Sequence, residues 1–414
     1  MPSPASILQP RPIPQTFSSL RHRNFKIYLL GQTASLAGTW MQIVAQGWLV
    51  YQISKSEFTL GLVAFASAIP ALIISPWGGV LVDRIPRQRV LLVSQFAAMA
   101  LAFILAALTL SGTVQVWHVI LISIGVGIFN AFDAPARLAF VFDLVERGDL
   151  SNAIALNAML MNSARVIGPA FGGFILATLG AGWCFFFNGL SFLSVIVALL
   201  VMRVDYSNMT HKNMEHPFRQ LLDGIRYVFR HVEIFALLQL SLFFSVFGLA
   251  YTAVLPAFVD RVLHQDALAF GAINAATGLG AVAAALWTAR HGASSPRGKI
   301  LVAATLLFPI TLFVFALNSN FYFALLIAFV LGLGFVIYFI INPLLQARVE
   351  DSMRGRVLSL YTLTYWGLAP FGNLSVGNLA ETWGLNSAIA WSAIVAFALT
   401  MIVWLLVPKL RTWK

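Results

Sequence analysis

The chain has 414 residues, of which 59% are hydrophobic and only 10% charged, a balance far from that of a soluble globular domain. Its formal net charge of +11 would point to nucleic acid in a soluble protein, but here the basic residues cluster beside apolar runs, so nucleic acid is not the expected partner. The one cysteine, Cys184, lies in an apolar run and cannot close an intramolecular disulfide.

Residues 1–24 are rich in proline and basic side chains and lack the apolar core of a cleaved signal, which predicts a cytoplasmic tail. Twelve apolar runs follow, at 25–52, 60–82, 90–111, 116–137, 152–179, 182–202, 234–259, 268–289, 300–317, 321–342, 356–380 and 386–407. Each is long enough to cross roughly 30 Å of hydrocarbon as a helix. An all-α membrane protein is the expected class, because a lipid-exposed backbone must satisfy its own hydrogen bonds and no segment shows the alternation of a barrel strand.

The hydrophilic stretch 203–233 divides these runs into a six-helix half at 25–202 and another at 234–407, with 408–414 as a short tail. Almost all lysines and arginines fall on one side of this pattern. Lys55 and Arg261 fall on the other, and Arg165 lies inside a helix. The positive-inside rule then puts both termini and the central loop in the cytoplasm. An offset of 204 residues superposes Glu146 on Glu350, Gly173 on Gly377 and Gly180 on Gly384, a faint internal repeat.

Between the second and third runs stands GGVLVDRIPRQRV, residues 78–90. It resembles the loop signature of the major facilitator superfamily, with Gly79, Leu81, Asp83, Arg84, Arg87 and Arg89 in matching places and Pro86 where the pattern has glycine. The resemblance implies a cytoplasmic latch in which Asp83 faces the start of helix 11, here Arg354 and Arg356; the plain alternative is a solvated acid among positive-inside residues. Asp133, in FNAFDAPARLAF, is the one acid inside an expected span. It is either a proton carrier or a fixed countercharge for Arg87 or for Arg137, four residues on.

ARVIGPAFGG, residues 164–173, is similar to the superfamily's helix 5 antiporter motif, with Gly168, Pro169, Gly172 and Gly173 in register and Ala164 in the first glycine place. Small residues permit close backbone approach and proline loosens the helix, which suits a hinge against the small-residue helix 8, FGAINAATGLGAVAAA. Arg165 lies about 13 residues beyond Asn152, roughly 20 Å into the membrane. A lipid-facing charge there would cost at least about 2.5 kcal/mol, so it must face protein or water. Its partners are either helix carbonyls and the amides of Gln42 or Gln46, a structural role, or an anionic cargo, a functional one.

With DLVERGDLSNAIALN at 143–157, these segments are similar to a bacterial efflux branch of the superfamily that includes the enterobactin exporter and macrolide efflux proteins. The resemblance implies a multi-pass inner-membrane exporter of an amphipathic small molecule, exchanged for protons by alternating access, working as a monomer among membrane lipids and without metal or cofactor. It also implies a cavity lined by helices 1, 4, 7 and 10, where the sequence offers Trp40, Gln42, Gln46, Asn130, Phe243, Phe247, Tyr251, Tyr338 and Asn342. A lipid flippase and a non-transporting scaffold are the alternatives. No phosphate-binding glycine loop, metal-spaced histidines or activated nucleophile supports an enzyme.

Overall fold

The computed structural model describes residues 15–82, 84–204, 217–291 and 296–413, and among these every regular element is a helix. The first half comprises α1 (Arg23–Ser54), α2 (Glu57–Val82), α3 (Arg87–Leu110), α4 (Val116–Leu144), α5 (Leu150–Thr178) and α6 (Ala181–Val201). Local chemistry sets their ends. Lys55 closes α1 in the left-handed region at φ 52°, and Gln115 and His118 form a reciprocal capping box on α4. Pro86 precedes α3, and Gly180 at φ +90° turns α5 into α6.

The second half begins with α7 (Pro217–Arg230), inside what the sequence suggested was only a polar loop. Gly224 faces Arg356 and Leu360, while Arg226, Phe229 and Arg230 are exposed. Then come α8 (Val232–Phe243), α9 (Tyr251–Arg261), α10 (Ala267–His291), α11 (Arg297–Leu317), α12 (Phe321–Leu333), α13 (Val336–Arg348), α14 (Arg354–Thr362), α15 (Ala369–Trp383) and α16 (Leu385–Leu406). Three pairs among these are continuous helical stretches with a break: a π-helical turn at Phe244–Gly248 joins α8 to α9, a turn at Gly334 and Phe335 joins α12 to α13, and a second π-turn at Leu363–Gly367 joins α14 to α15.

Ten segments among the described residues are long and apolar enough to cross a membrane, rather than the twelve expected. The ten do not include α1 or the α14–α15 stretch, both of which carry polar side chains among their apolar ones. Helix ends also differ from the apolar runs, with α4 continuing to Leu144 and the α12–α13 span to Arg348, because an apolar run marks lipid depth and a helix continues past it.

The tails are partly docked. The Ser19 amide and hydroxyl donate to Asn152 Oδ1 at 3.1 and 2.6 Å, and His22 Nε2 lies 2.8 Å from Asp149. At the other terminus, the Gly298 amide donates to the Trp413 carbonyl at 2.9 Å and Arg348 sits over the Trp413 ring.

Two seams hold the halves together, α5 against α10 and α2 against α15. Both depend on glycine. A Cβ on Gly173 would stand 2.6 Å from Gly271 Cα, and one on Gly377 would stand 2.7 Å from the Glu57 carbonyl. Gly173 and Gly377 are 204 residues apart, as are Gly180 and Gly384, which both turn at positive φ, so the faint sequence repeat corresponds to repeated geometry.

Candidate functional site

At the α5–α10 seam, the Arg165 carbonyl lies 2.8 Å from where a Gly278 Cβ would stand, so Arg165 leaves α5 at the line where the halves meet. Its guanidinium carbon is 5.0 Å from the Trp40 ring centroid and 4.7 Å from that of Phe335. Trp40 belongs to α1 and Phe335 to the turn between α12 and α13, so one cation is stacked on both halves. Among the described residues the guanidinium has no hydrogen-bond acceptor and no carboxylate. The amides expected beside it are engaged elsewhere: Gln42 Oε1 accepts from Asn188 Nδ2 at 2.6 Å, and Gln46 Nε2 donates to Ser123 Oγ at 3.0 Å.

The other cavity residues divide. Tyr338 stacks on Tyr361 at 5.9 Å and meets Tyr365 at 4.7 Å, and Phe243 and Phe247 are half-buried. Tyr251 is buried with its ring against Phe315. Asn130 is exposed, and Asn342 Oδ1 accepts from Gln346 Nε2.

At the end where α2 meets α3, Asp133 is only 6% exposed and accepts from Gln95 Nε2 at 2.8 Å and Arg137 Nε at 3.0 Å. Arg137 Nη1 donates onward to Gln32 Oε1 at 2.6 Å, tying α1, α3 and α4 together. Of the two countercharge alternatives, Arg137 is the partner of Asp133; Arg87 pairs with Asp143, a carboxylate beyond the expected span. Asp83 lies outside the described residues. Gly79 is within α2, and Arg84 and Arg89 are exposed. Arg354 pairs with Asp351, and Arg356 Nη1 lies 3.3 Å from Asp223 on α7.

The opposite end carries a network with no counterpart among the sequence expectations. Tyr51 OH donates to Asp260 Oδ2 at 2.8 Å, and Arg261 reaches Tyr51 OH at 3.0 Å, Glu57 Oε1 at 2.6 Å and the Lys55 carbonyl at 2.9 Å. Glu381 Oε2 accepts from Ser56 Oγ at 2.8 Å and from the Phe58 amide at 3.1 Å. Every one of these bonds joins the first half to the second. The sequence did hold one signal, since Lys55 and Arg261 are the two cations that break the positive-inside pattern.

A family model described as "Transmembrane secretion effector" matches residues 14–414. The chain belongs to that family. Its relatives make it a multi-pass bacterial inner-membrane transporter of the major facilitator type, not an enzyme. It is 25% identical over 396 residues to the Staphyloferrin A transporter of Staphylococcus aureus, covering 90% of this chain and 94% of that protein. It is 24% identical to the multidrug efflux pump Tap of Mycolicibacterium fortuitum, covering 91% and 93%, and 25% identical to the enterobactin exporter EntS of Shigella flexneri, covering 82% and 81%. Among solved structures, an inward-facing bacterial homologue of the lysosomal transporter Spinster matches with a TM-score of 0.66 at 16% identity over 97% of this chain and 99% of that one. A POT family transporter bound to 5-aminolevulinic acid matches with a TM-score of 0.74 at 12% identity, over 94% and 96%. At these identities the likeness is one of fold.

Proposed function

We propose that this family member exports a bulky amphipathic small molecule, a siderophore or drug-like metabolite, from the cytosol by alternating access in exchange for protons. In this reading α1 and the α14–α15 stretch complete twelve spans, with six in each half, and both termini and α7 are cytoplasmic. The polarity of α1 then suits a helix that faces a cavity rather than lipid.

The observation that carries the reading is the concentration of bonds between the halves at the Lys55–Glu57–Arg261 end. Two glycine seams cross the middle, and that ionic network closes what would be the extracytoplasmic mouth. Opening that mouth requires the network to break while the seams act as pivots. Asp83, with Arg354 and Arg356, would serve as the matching latch on the cytoplasmic side, and the buried Asp133–Arg137 pair would hold the first half's gate elements in register. Cargo of the relatives, staphyloferrin A and enterobactin by name, supports a chelating or ring-bearing substrate.

The test is efflux from cells carrying the gene against cells lacking it, with retained metabolites and toxins compared. Efflux should collapse with an uncoupler and persist when ATP alone is depleted. Efflux indifferent to the uncoupler contradicts proton exchange, and no difference in any retained compound contradicts export.

A further inference from the structure

The three breaks in the second half converge. The Phe244 ring lies 6.0 Å from Phe335 and 6.1 Å from Tyr365, and Ser245 Oγ donates to the Tyr365 carbonyl, so both π-turns and the α12–α13 turn touch one another. Arg165 projects into this junction and stacks on Phe335, within electrostatic reach of Tyr338 and Tyr365. Interrupted helices at mid-membrane are where transporters of this architecture expose polar backbone and side chains to cargo, and π-turns cluster at functional sites.

Two polar groups at this junction lack hydrogen-bond partners among the described residues. Aromatic rings satisfy the positive charge of Arg165 through the guanidinium faces but offer no acceptors to its in-plane N–H groups. Tyr365 is 2% exposed and its hydroxyl has no partner among the described residues. Leaving buried donors unpaired is costly, and a ligand that accepts from them recovers that cost.

We propose that Arg165 and Tyr365 form an anion subsite that selects cargo bearing a carboxylate or similar planar oxyanion on an aromatic body. The inference rests on the exporter reading and assigns its cargo class. A carboxylate accepts two parallel N–H bonds from a guanidinium edge, and an aromatic body matches the rings of Trp40, Phe335 and Tyr338. A cationic drug would meet a fixed like charge, since no described carboxylate pairs with Arg165.

The experiment is calorimetric titration of the purified full-length protein in lipid nanodiscs with naphthalene-2-carboxylate and, separately, naphthalene-2-carboxamide. The wild type should bind the carboxylate about tenfold more tightly, the size expected of a charge-assisted pair. Arg165→Gln should erase that preference, Arg165→Lys should retain a smaller one, and Tyr365→Phe should weaken carboxylate binding several-fold without affecting the amide. Equal affinities, no saturable binding of either probe, or a preference that survives Arg165→Gln overturns the proposal. Should Arg165→Gln fail to fold, an unchanged preference in Tyr365→Phe overturns it equally. No proton gradient enters the assay, so its failure leaves the export reading standing, and a failure of proton coupling leaves the subsite standing.

Discussion

The helices α1 to α6 and the helices α8 to α16 differ in how regular they are. Each of α1 to α6 is one continuous helix, and the Asp133–Arg137–Gln32–Gln95 set cross-links three of them. Among the later helices three stretches lose α-geometry at one junction, with a π-turn at Phe244–Gly248, a turn at Phe335 and a π-turn at Leu363–Gly367. A buried charged network resists deformation because any rearrangement strands a charge. A π-turn holds one residue more than plain α-geometry and is frequent at functional sites, so α1 to α6 are expected to act as the platform and the later helices as the pliable partner.

The sharpest way to break this contrast is to remove one residue from each half. Deleting Ile124 from α4 would rotate Asp133 and Arg137 by about 100° off their buried face, so no folded protein should be recovered from the membrane. Deleting Val246 from the first π-turn should restore plain α-register, leave expression and melting nearly unchanged, and reduce transport severely. Size-exclusion profiles and efflux read the two outcomes, and equal tolerance of both deletions would abolish the distinction.

Next in size is Arg137→Ala, which leaves Asp133 buried with one neutral partner and should cost about 3–5 kcal/mol, seen as a large fall in melting temperature. The seam between the halves comes third. Gly173→Ala puts a methyl group 2.6 Å from the Gly271 backbone, where no flexible side chain can yield, and should cost about 1–3 kcal/mol and slow transport.

Smaller again is Arg261→Ala at the network between the halves. Glu57 is 4% exposed but the Arg261 side chain is 47% exposed, so solvent screens the pair and the loss should be about 1 kcal/mol. That suffices to shift a poised equilibrium, and spin labels at Ser54 and Thr382 in a Cys184→Ala background should report a larger share of separated distances. The smallest effect concerns the docked N-terminal segment. Hydrogen bonds from Ser18 and His22 hold the Asp149 carboxyl below its ordinary value of 3.8. A depressed carboxylate contributes docking stability above that value and loses it as pH falls through the lowered one, so limited proteolysis near residue 20 should accelerate only in strong acid.

Much of this organisation is written locally. Apolar runs mark most spans, and the Gly-Pro-x-x-Gly-Gly segment marks the face of α5 that meets α10, because small residues are themselves the physical requirement for close packing. The buried place of Asp133 follows from its apolar run, while the sequence leaves its partner open between Arg87 and Arg137, and the structure gives the one at i, i+4 spacing. The network of Tyr51, Glu57, Asp260, Arg261 and Glu381 is not legible in this way, since its members come from separate segments and no local pattern pairs them. The π-turns are equally silent: FSVFG and LTYWG have the composition of any membrane helix. Helix α7 could have been found, as PFRQLLDGIRYVFR repeats its apolar residues at helical spacing within a charged stretch. The surroundings of Arg165 also differ from the nearest-polar-group expectation, because aromatic faces can hold the charge of a guanidinium while leaving its in-plane N–H groups without acceptors.

The contrast between the halves is tested most directly by hydrogen–deuterium exchange of the full-length protein in lipid nanodiscs, followed residue by residue. Mid-span amides around Phe244–Gly248, Phe335 and Leu363–Gly367 should exchange at least about tenfold faster than those at matching depth in α4 and α5, since broken helical geometry lowers the cost of local opening. Uniform protection across both halves, or faster exchange around Asp133 and Arg165 than around Val246 and Tyr365, would contradict a rigid first half and a pliable second.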